Sequence, residues 1–204
     1  MKVTIFGATG RTGRHLTRIA LEAGHEVTAF ARDAKKLSAD CDKLRVVTGN
    51  LFAVEEVEQA VKGSDAVLYS VGCVSIREKD TVARGTETVV KAMERHGVKR
   101  IVVMSTVGAG DSGKALKPIL RTILKIVIRN QLRDHTMQED ILKKSSLDWT
   151  AVRAAGLTDG PAKGTYKIGY DLMATRIARE DVAACMVGML SDEKYSRKTP
   201  IITD

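Results

Sequence analysis

Short, almost continuous apolar runs alternate along the chain with longer stretches of helical periodicity. The runs are Val3 to Phe6, Glu26 to Phe30, Leu44 to Thr48, Ala66 to Ser70, Arg100 to Ser105 and Trp149 to Val152. A strand with one wet face would alternate apolar and polar residues; near-continuous runs predict strands covered on both faces. Helical patterning covers Arg11 to Ala23, Val54 to Val61, Asp80 to His96 and Lys117 to Ser145. Gly24 and Gly97 stand just past two of these helices, where a left-handed glycine closes a helix. Gly63, Ser64 and Asp65 make a turn before the fourth strand. Beyond the sixth, the glycines at 156, 160, 164 and 169 mark an irregular region over 157–175, with one short strand expected near Tyr166. A helix over Arg179 to Leu190 and a strand near Ile201 close the chain. Repeated strand–helix units predict an α/β fold: a single doubly wound, Rossmann-like parallel sheet with helices on both faces.

The first strand runs directly into Gly7, Gly10 and Gly13, and a helix opens behind them. That order builds a pyrophosphate site. Glycine lets backbone approach a ligand closely, and the helix start offers free N–H groups and partial positive charge. Gly7, Thr9, Gly10, Arg11, Thr12 and Gly13 are therefore candidate cofactor contacts. Folds of this kind that prefer NAD usually carry an acid past the second strand for the ribose hydroxyl. Here Arg32 stands at that point, followed by Asp33, Lys35 and Lys36. An arginine fork suits a 2′-phosphate, so NADP(H) is favoured over NAD(H), with Arg32 and Lys36 as contacts; the alternative is a solvated basic loop. Asn50 and Leu51 follow the third strand, where adenine would lie, although Asn50 also suits an ordinary turn. Val71 and Gly72 follow the fourth, where backbone would pass beside ribose and phosphates.

Composition narrows this only slightly. The 204 residues predict one domain over 1–204, with a small substrate-side portion at about 106–118 and 154–178. No run reaches the length of a membrane span, and a chain that opens in a strand is expected to have no signal peptide. Cys41, Cys73 and Cys185 are scattered, which points to the reducing cytoplasm rather than to disulfides or zinc. A net charge of +8 suits an anionic ligand, while 4% aromatics and the lack of a nucleic-acid motif argue against nucleic acid.

Six stretches together resemble the atypical short-chain dehydrogenase/reductase superfamily, and within it the small NAD(P)-binding proteins of NmrA-like and biliverdin-IXβ reductase (flavin reductase) type. They are residues 5–13, 27–33, 49–51, 63–67, 96–102 and 147–153. The resemblance implies hydride transfer from a reduced nicotinamide to a flavin, quinone, bilin or similar conjugated small molecule. It also allows a second role, a non-catalytic NADP(H)-binding redox sensor or assembly factor. The chain departs from the superfamily's usual acid: no tyrosine has lysine four residues on. The segment Ala154 to Leu157 lacks the histidine often found there in the bilin-reducing type, and Ala154 replaces a common proline.

Hydride transfer to a conjugated acceptor needs little beyond positioning, since water can supply the proton. Ser105 and Thr106, at the end of the fifth strand, are the candidate catalytic or nicotinamide-side residues; capping is their plainer role. His135 and Glu139 are four apart on a helix and are expected to pair on one face. The loop from Gly108 to Gly113 reads as a flexible cover for an acceptor. Lys117, Arg121, Lys125, Arg129 and Arg133 then recur every four residues among Leu116, Ile119, Leu120, Ile123, Leu124, Val127 and Ile128. This basic amphipathic helix over 117–133 either packs on the sheet with a solvated face, or docks an acidic partner, touches a membrane surface or covers an anionic substrate.

Overall fold

The computed structural model describes residues 1–34, 37, 41–72 and 79–204, the side chain of Lys125 excepted. Each apolar run forms a strand: β1 (Lys2–Phe6), β2 (Glu26–Ala31), β3 (Leu44–Thr48), β4 (Ala66–Tyr69), β5 (Arg100–Thr106) and β6 (Asp148–Ala154). Three short strands follow, β7 (Gly156–Thr158), β8 (Lys167–Gly169) and β9 (Arg176–Ala178), and β10 (Ile201–Thr203) ends the chain. The main sheet has the order β3-β2-β1-β4-β5-β6-β10-β8. Its pairings are parallel except at one edge, where β8 runs antiparallel to β10. The chain leaves β1 in one direction toward β2 and later returns to its other side as β4. The carboxyl end of β1 is thus a topological switch point, where open α/β sheets bind ligands.

Successive side chains of a strand point to opposite faces, and the core divides accordingly. Val3 and Ile5 of β1, with Val102 and Met104 of β5, pack in one cluster with Leu16 and Ala20 of α1 (Arg11–Glu22) and Val182 and Met186 of α6 (Arg179–Gly188). Phe6, Ile101 and Val103 face the other way. They pack with Val57 of α2 (Val54–Val61), Val89 and Met93 of α3 (Thr81–His96) and Leu142 of α5 (Arg129–Lys144). Helices therefore cover both faces, as the strand composition predicts.

Two regions differ from the sequence expectation. The helix expected over Lys117 to Ser145 is two helices, α4 (Pro118–Val127) and α5, broken at Ile128 with φ −118° and ψ 30°. Ile126, Val127 and Ile128 are three successive β-branched residues, whose restricted χ1 weakens a helix. The break lets α5 pack beneath the sheet while α4 stays outside. The tail over 157–175 also holds more structure than one strand near Tyr166: β7 and β9 form a separate two-stranded parallel sheet, and β8 begins one residue past Tyr166.

Candidate functional site

Parallel strands deliver their following loops to one edge, and four of those loops enclose a cleft. Gly7 follows β1 with φ +81°, a left-handed backbone open to glycine. A Cβ there would lie 2.8 Å from the Ser70 carbonyl carbon. At Gly13 a Cβ would meet the Gly7 carbonyl oxygen at 1.9 Å, so the first turn of α1 lies directly on the loop. Gly10 caps α1 with no side-chain acceptor, and no acid occupies the first turn. The helix start keeps its free N–H groups and positive field for an anion.

The other loops close the sides. Arg32, beyond β2, is exposed and lines the cleft. After β3, the Asn50 Oδ1 accepts from the Phe52 amide at 3.0 Å, and the Glu56 carboxylate accepts from the Asn50 amide at 2.5 Å. Asn50 is thus a turn residue that also faces the cleft, so the two readings of it are compatible. Leu51 is held against α3 where Gly85 has no side chain; a Cβ there would lie 2.4 Å from Leu51. Val71 and Gly72 follow β4, and the space beside Gly72 is open. The cleft holds about 300 Å3, within the range of small-ligand sites.

Eight of the sequence-predicted residues line it: Gly7, Thr9, Gly10, Arg32, Asn50, Leu51, Val71 and Gly72. Thr12 and Gly13 are buried behind the loop, where they support it. Arg11 turns away to Asp159 at 3.0 Å, an exposed pair that ties α1 to the loop after β7. The Arg179 Nε also donates to Asp159, at 2.7 Å. Lys36 lies outside the described residues. Phe6, Phe30, Phe52, Ser70 and Thr81 line the cleft as well and were not predicted. Phe6 and Phe30 pack beneath it with their rings tilted by 48° and centroids 5.0 Å apart. Phe52 is half exposed, with the Arg84 guanidinium 4.8 Å from its ring. An aromatic just past the Asn50 turn is the signal that could have marked it.

Beyond the cleft, the ends of β5 and β6 meet a buried ionic network. Ser105 Oγ donates to Glu139 Oε1 at 2.8 Å. Arg153 grips both oxygens of Glu139, at 2.9 Å and 2.7 Å, and reaches Asp111 at 2.6 Å. Glu139 is fully buried, Ser105 and Arg153 nearly so. Hydrogen bonding to Arg153 holds the Asp111 carboxyl below the usual carboxylate range. Gly110 leaves the room this network needs, since a Cβ there would lie 2.6 Å from Arg153.

Two expectations, the His135–Glu139 pair and the flexible loop, are corrected here. Glu139 does not pair with His135; its partners are Ser105 and Arg153, and His135 Nδ1 lies 3.1 Å from Gln138 Oε1. Burial lowers the His135 pKa, against the opposing pull of Gln138, Asp134 and Glu139. The Gly108–Gly113 loop is a pinned turn rather than a flexible cover. Ser112 Oγ donates to the Ala109 carbonyl and accepts from the Gly108 amide, and Thr136 Oγ1 accepts from the Gly110 amide. Finally, the Ser105 hydroxyl is engaged by a carboxylate, whereas Thr106 is only partly buried and makes one long contact of 3.5 Å, to the Val107 carbonyl. Burial also pushes the Tyr166 hydroxyl and the Cys185 thiol each up to about 12, so both stay protonated.

A glycine cradle against an uncapped helix start, at a topological switch point, is the arrangement that dinucleotide-binding folds use. A family model described as NAD(P)H-binding matches residues 7–193. The chain belongs to this NAD(P)H-binding family. It is 28% identical to the Bacillus subtilis (strain 168) protein named uncharacterized sugar epimerase YhfK, over all of this chain and 94% of that one. It is 24% identical to the photosystem II assembly factor Ycf39 of Synechocystis, of which it spans 62%. Among solved structures, a short-chain dehydrogenase/reductase from Veillonella parvula DSM 2008, in complex with NADP, superimposes with a TM-score of 0.86 at 21% identity. The alignment covers all of this chain and 94% of that one. ChuY, an anaerobillin reductase from Escherichia coli O157:H7, gives 0.85 at 22% identity, over all of this chain and 97% of that one. The two solved structures share the fold of this chain. No helix of the family member described here, among its described residues, is long and apolar enough to cross a membrane.

Proposed function

We propose that the protein is an NADPH-dependent reductase that passes a hydride to a flavin, quinone, bilin or similar conjugated small molecule. The observation that carries the reading is the cleft at the ends of β1 to β4, where a glycine cradle, a free helix start and Arg32 converge. Gly7, Thr9 and Gly10 would hold the diphosphate, with Thr12 and Gly13 supporting the loop from beneath and Arg11 reaching it only on leaving Asp159. Arg32, with Lys36 following in sequence, would take the 2′-phosphate. Asn50, Leu51 and the exposed Phe52 ring would flank adenine, and Val71 and Gly72 the ribose. When bound, the nicotinamide supplies the hydride. The turn at Gly108 to Gly113, within the substrate-side portion 106–118 and 154–178, would set the acceptor's place. Thr106 would orient acceptor or carboxamide, and the Glu139–Arg153 pair would position Ser105 as a rigid wall. A conjugated acceptor can take its proton from water, which fits a chain without the Tyr/Lys pair. The scattered cysteines, with Cys41 and Cys185 free, support a reducing cytoplasmic setting.

The test is loss of reduced-nicotinamide absorbance with FMN, riboflavin and a simple quinone, each under NADPH and NADH. Faster turnover with NADPH supports the proposal. Tight NADPH binding without turnover on any acceptor would favour the sensor reading, which the engaged Ser105 hydroxyl also fits.

A further inference from the structure

Half of the large apolar side chains exposed among the described residues sit on one ten-residue helix. They are Ile119, Leu120, Ile123, Ile126 and Val127 of α4, with Ile119 78% and Ile126 76% exposed. Of the α4 side chains described, only Leu124 is partly covered. Plotted at 100° per residue, the apolar positions fill one broad arc, with Arg121 and Thr122 outside it. Met173 is exposed beside the start of α4 and shares a cavity of about 600 Å3 with Lys114, Pro118 and Arg121. Single exposed apolar residues need no explanation, but a contiguous face of this kind marks a contact surface.

The charge around this face says what it contacts. Residues 112–133 contain six Lys or Arg and no Asp or Glu. They carry most of the chain's net charge of +8. A second copy docking face to face would bring the same cations against one another. Nucleic acid would satisfy the cations and leave the isoleucines without a partner. An anionic lipid surface satisfies both, taking apolar side chains below the headgroups and cations at their level. Ten residues of helix rise about 15 Å, half of a hydrocarbon core, so the helix must lie in the interface plane.

We propose that α4 is an interfacial helix that docks this protein on anionic membrane surfaces. Pro118 starts it at N1/N2 and Ile128 breaks it from α5, so it projects from the sheet as a separate face. The proposal is independent of the cofactor reading, because none of these residues lines the dinucleotide cleft.

The experiment is co-sedimentation of the full chain with vesicles of phosphatidylcholine alone, or containing about a third phosphatidylglycerol, across salt concentration. The expected result is binding to the anionic vesicles only, weakened as salt rises. Ile119→Glu/Ile126→Glu abolishes it, and Lys117→Glu/Arg121→Glu lowers the partition by at least about 25-fold, taking each lost cation as roughly fivefold. Each variant is checked for unchanged thermal unfolding and unchanged NADPH binding, so that a folding defect or a failed cofactor reading is told apart. Absence of binding to anionic vesicles overturns the proposal, as does binding that survives the double isoleucine substitution. A wild-type dimer in ultracentrifugation that the same substitution dissolves, without vesicle binding, assigns the face to a second copy instead and overturns it equally.

Discussion

At Gly13 an added methyl would lie only 1.9 Å from the Gly7 carbonyl oxygen. Gly13→Ala is therefore expected to push the loop off α1, cost about 1–3 kcal/mol and weaken dinucleotide binding; urea denaturation with calorimetry measures both. Arg32 is different, being exposed and free of the core. Arg32→Glu should leave stability unchanged and lower NADPH affinity about 10- to 100-fold, the worth of a charge-assisted hydrogen bond, with little effect on NADH. At the buried end of the scale, Glu139→Gln leaves Arg153 charged and under-compensated. It is expected to cost about 3–5 kcal/mol by denaturant unfolding. Arg32, Asn50 and the glycines could be read from the chain because each sits at a fixed offset from its own strand. Glu139 could not: its partners Ser105 and Arg153 are 34 and 14 residues away. Local spacing instead suggested His135.

Among the elements, α3 depends on α5 for its start. Asp80 stands at the N-cap without a side-chain capping hydrogen bond; its carboxylate faces Arg84 at 4.0 Å. The cap comes instead from buried Asp134, which accepts from the Val82 and Ala83 amides at 2.9 Å and 2.8 Å. Thr81 of this turn lines the cleft at the ends of β1 to β4, so the cap also fixes a cleft wall. Asp134→Ala strands two buried amides and should lower stability by about 2 kcal/mol or more, read from urea midpoints at constant m. Asp134→Asn, which can still accept one of the bonds, should recover part of the loss. The strand–helix alternation was legible because six apolar runs carry it. The split between α4 and α5 was not, since the apolar period runs through Ile128 without a proline or glycine. Strands of three residues, such as β7 and β9, pair only through tertiary contact and leave no periodic trace.

For the molecule as a whole, parallel topology turns scattered loops into one site, and burial ties its stability to pH. Burial lowers the pKa of His135, with opposing help to the charged form from Gln138, Asp134 and Glu139, and burial lowers His25 in the same direction. A histidine kept neutral in the fold takes up its proton more readily when unfolded. Stability is therefore full above the ordinary histidine pKa and falls as pH drops through it, levelling once the folded-state pKa is passed. His135→Gln should shallow that decline between neutral and mildly acidic pH, as followed by thermal unfolding at a series of pH values. The fold class was legible at this scale because strand burial on both faces demands helical cover. The outward stance of α4 was not, because a basic amphipathic pattern reads the same whether its apolar face is buried or bare.

In the proposed reading the cleft between the ends of β1 and β4 holds a nicotinamide dinucleotide and Arg32 selects the phosphorylated form. Isothermal calorimetry of the full chain with NADPH and with NADH tests it most directly. One molecule of NADPH per chain is expected to bind, more tightly than NADH, with the difference lost in Arg32→Glu. Equal affinity for the two would contradict the selection by Arg32, and no heat with either would contradict the site itself.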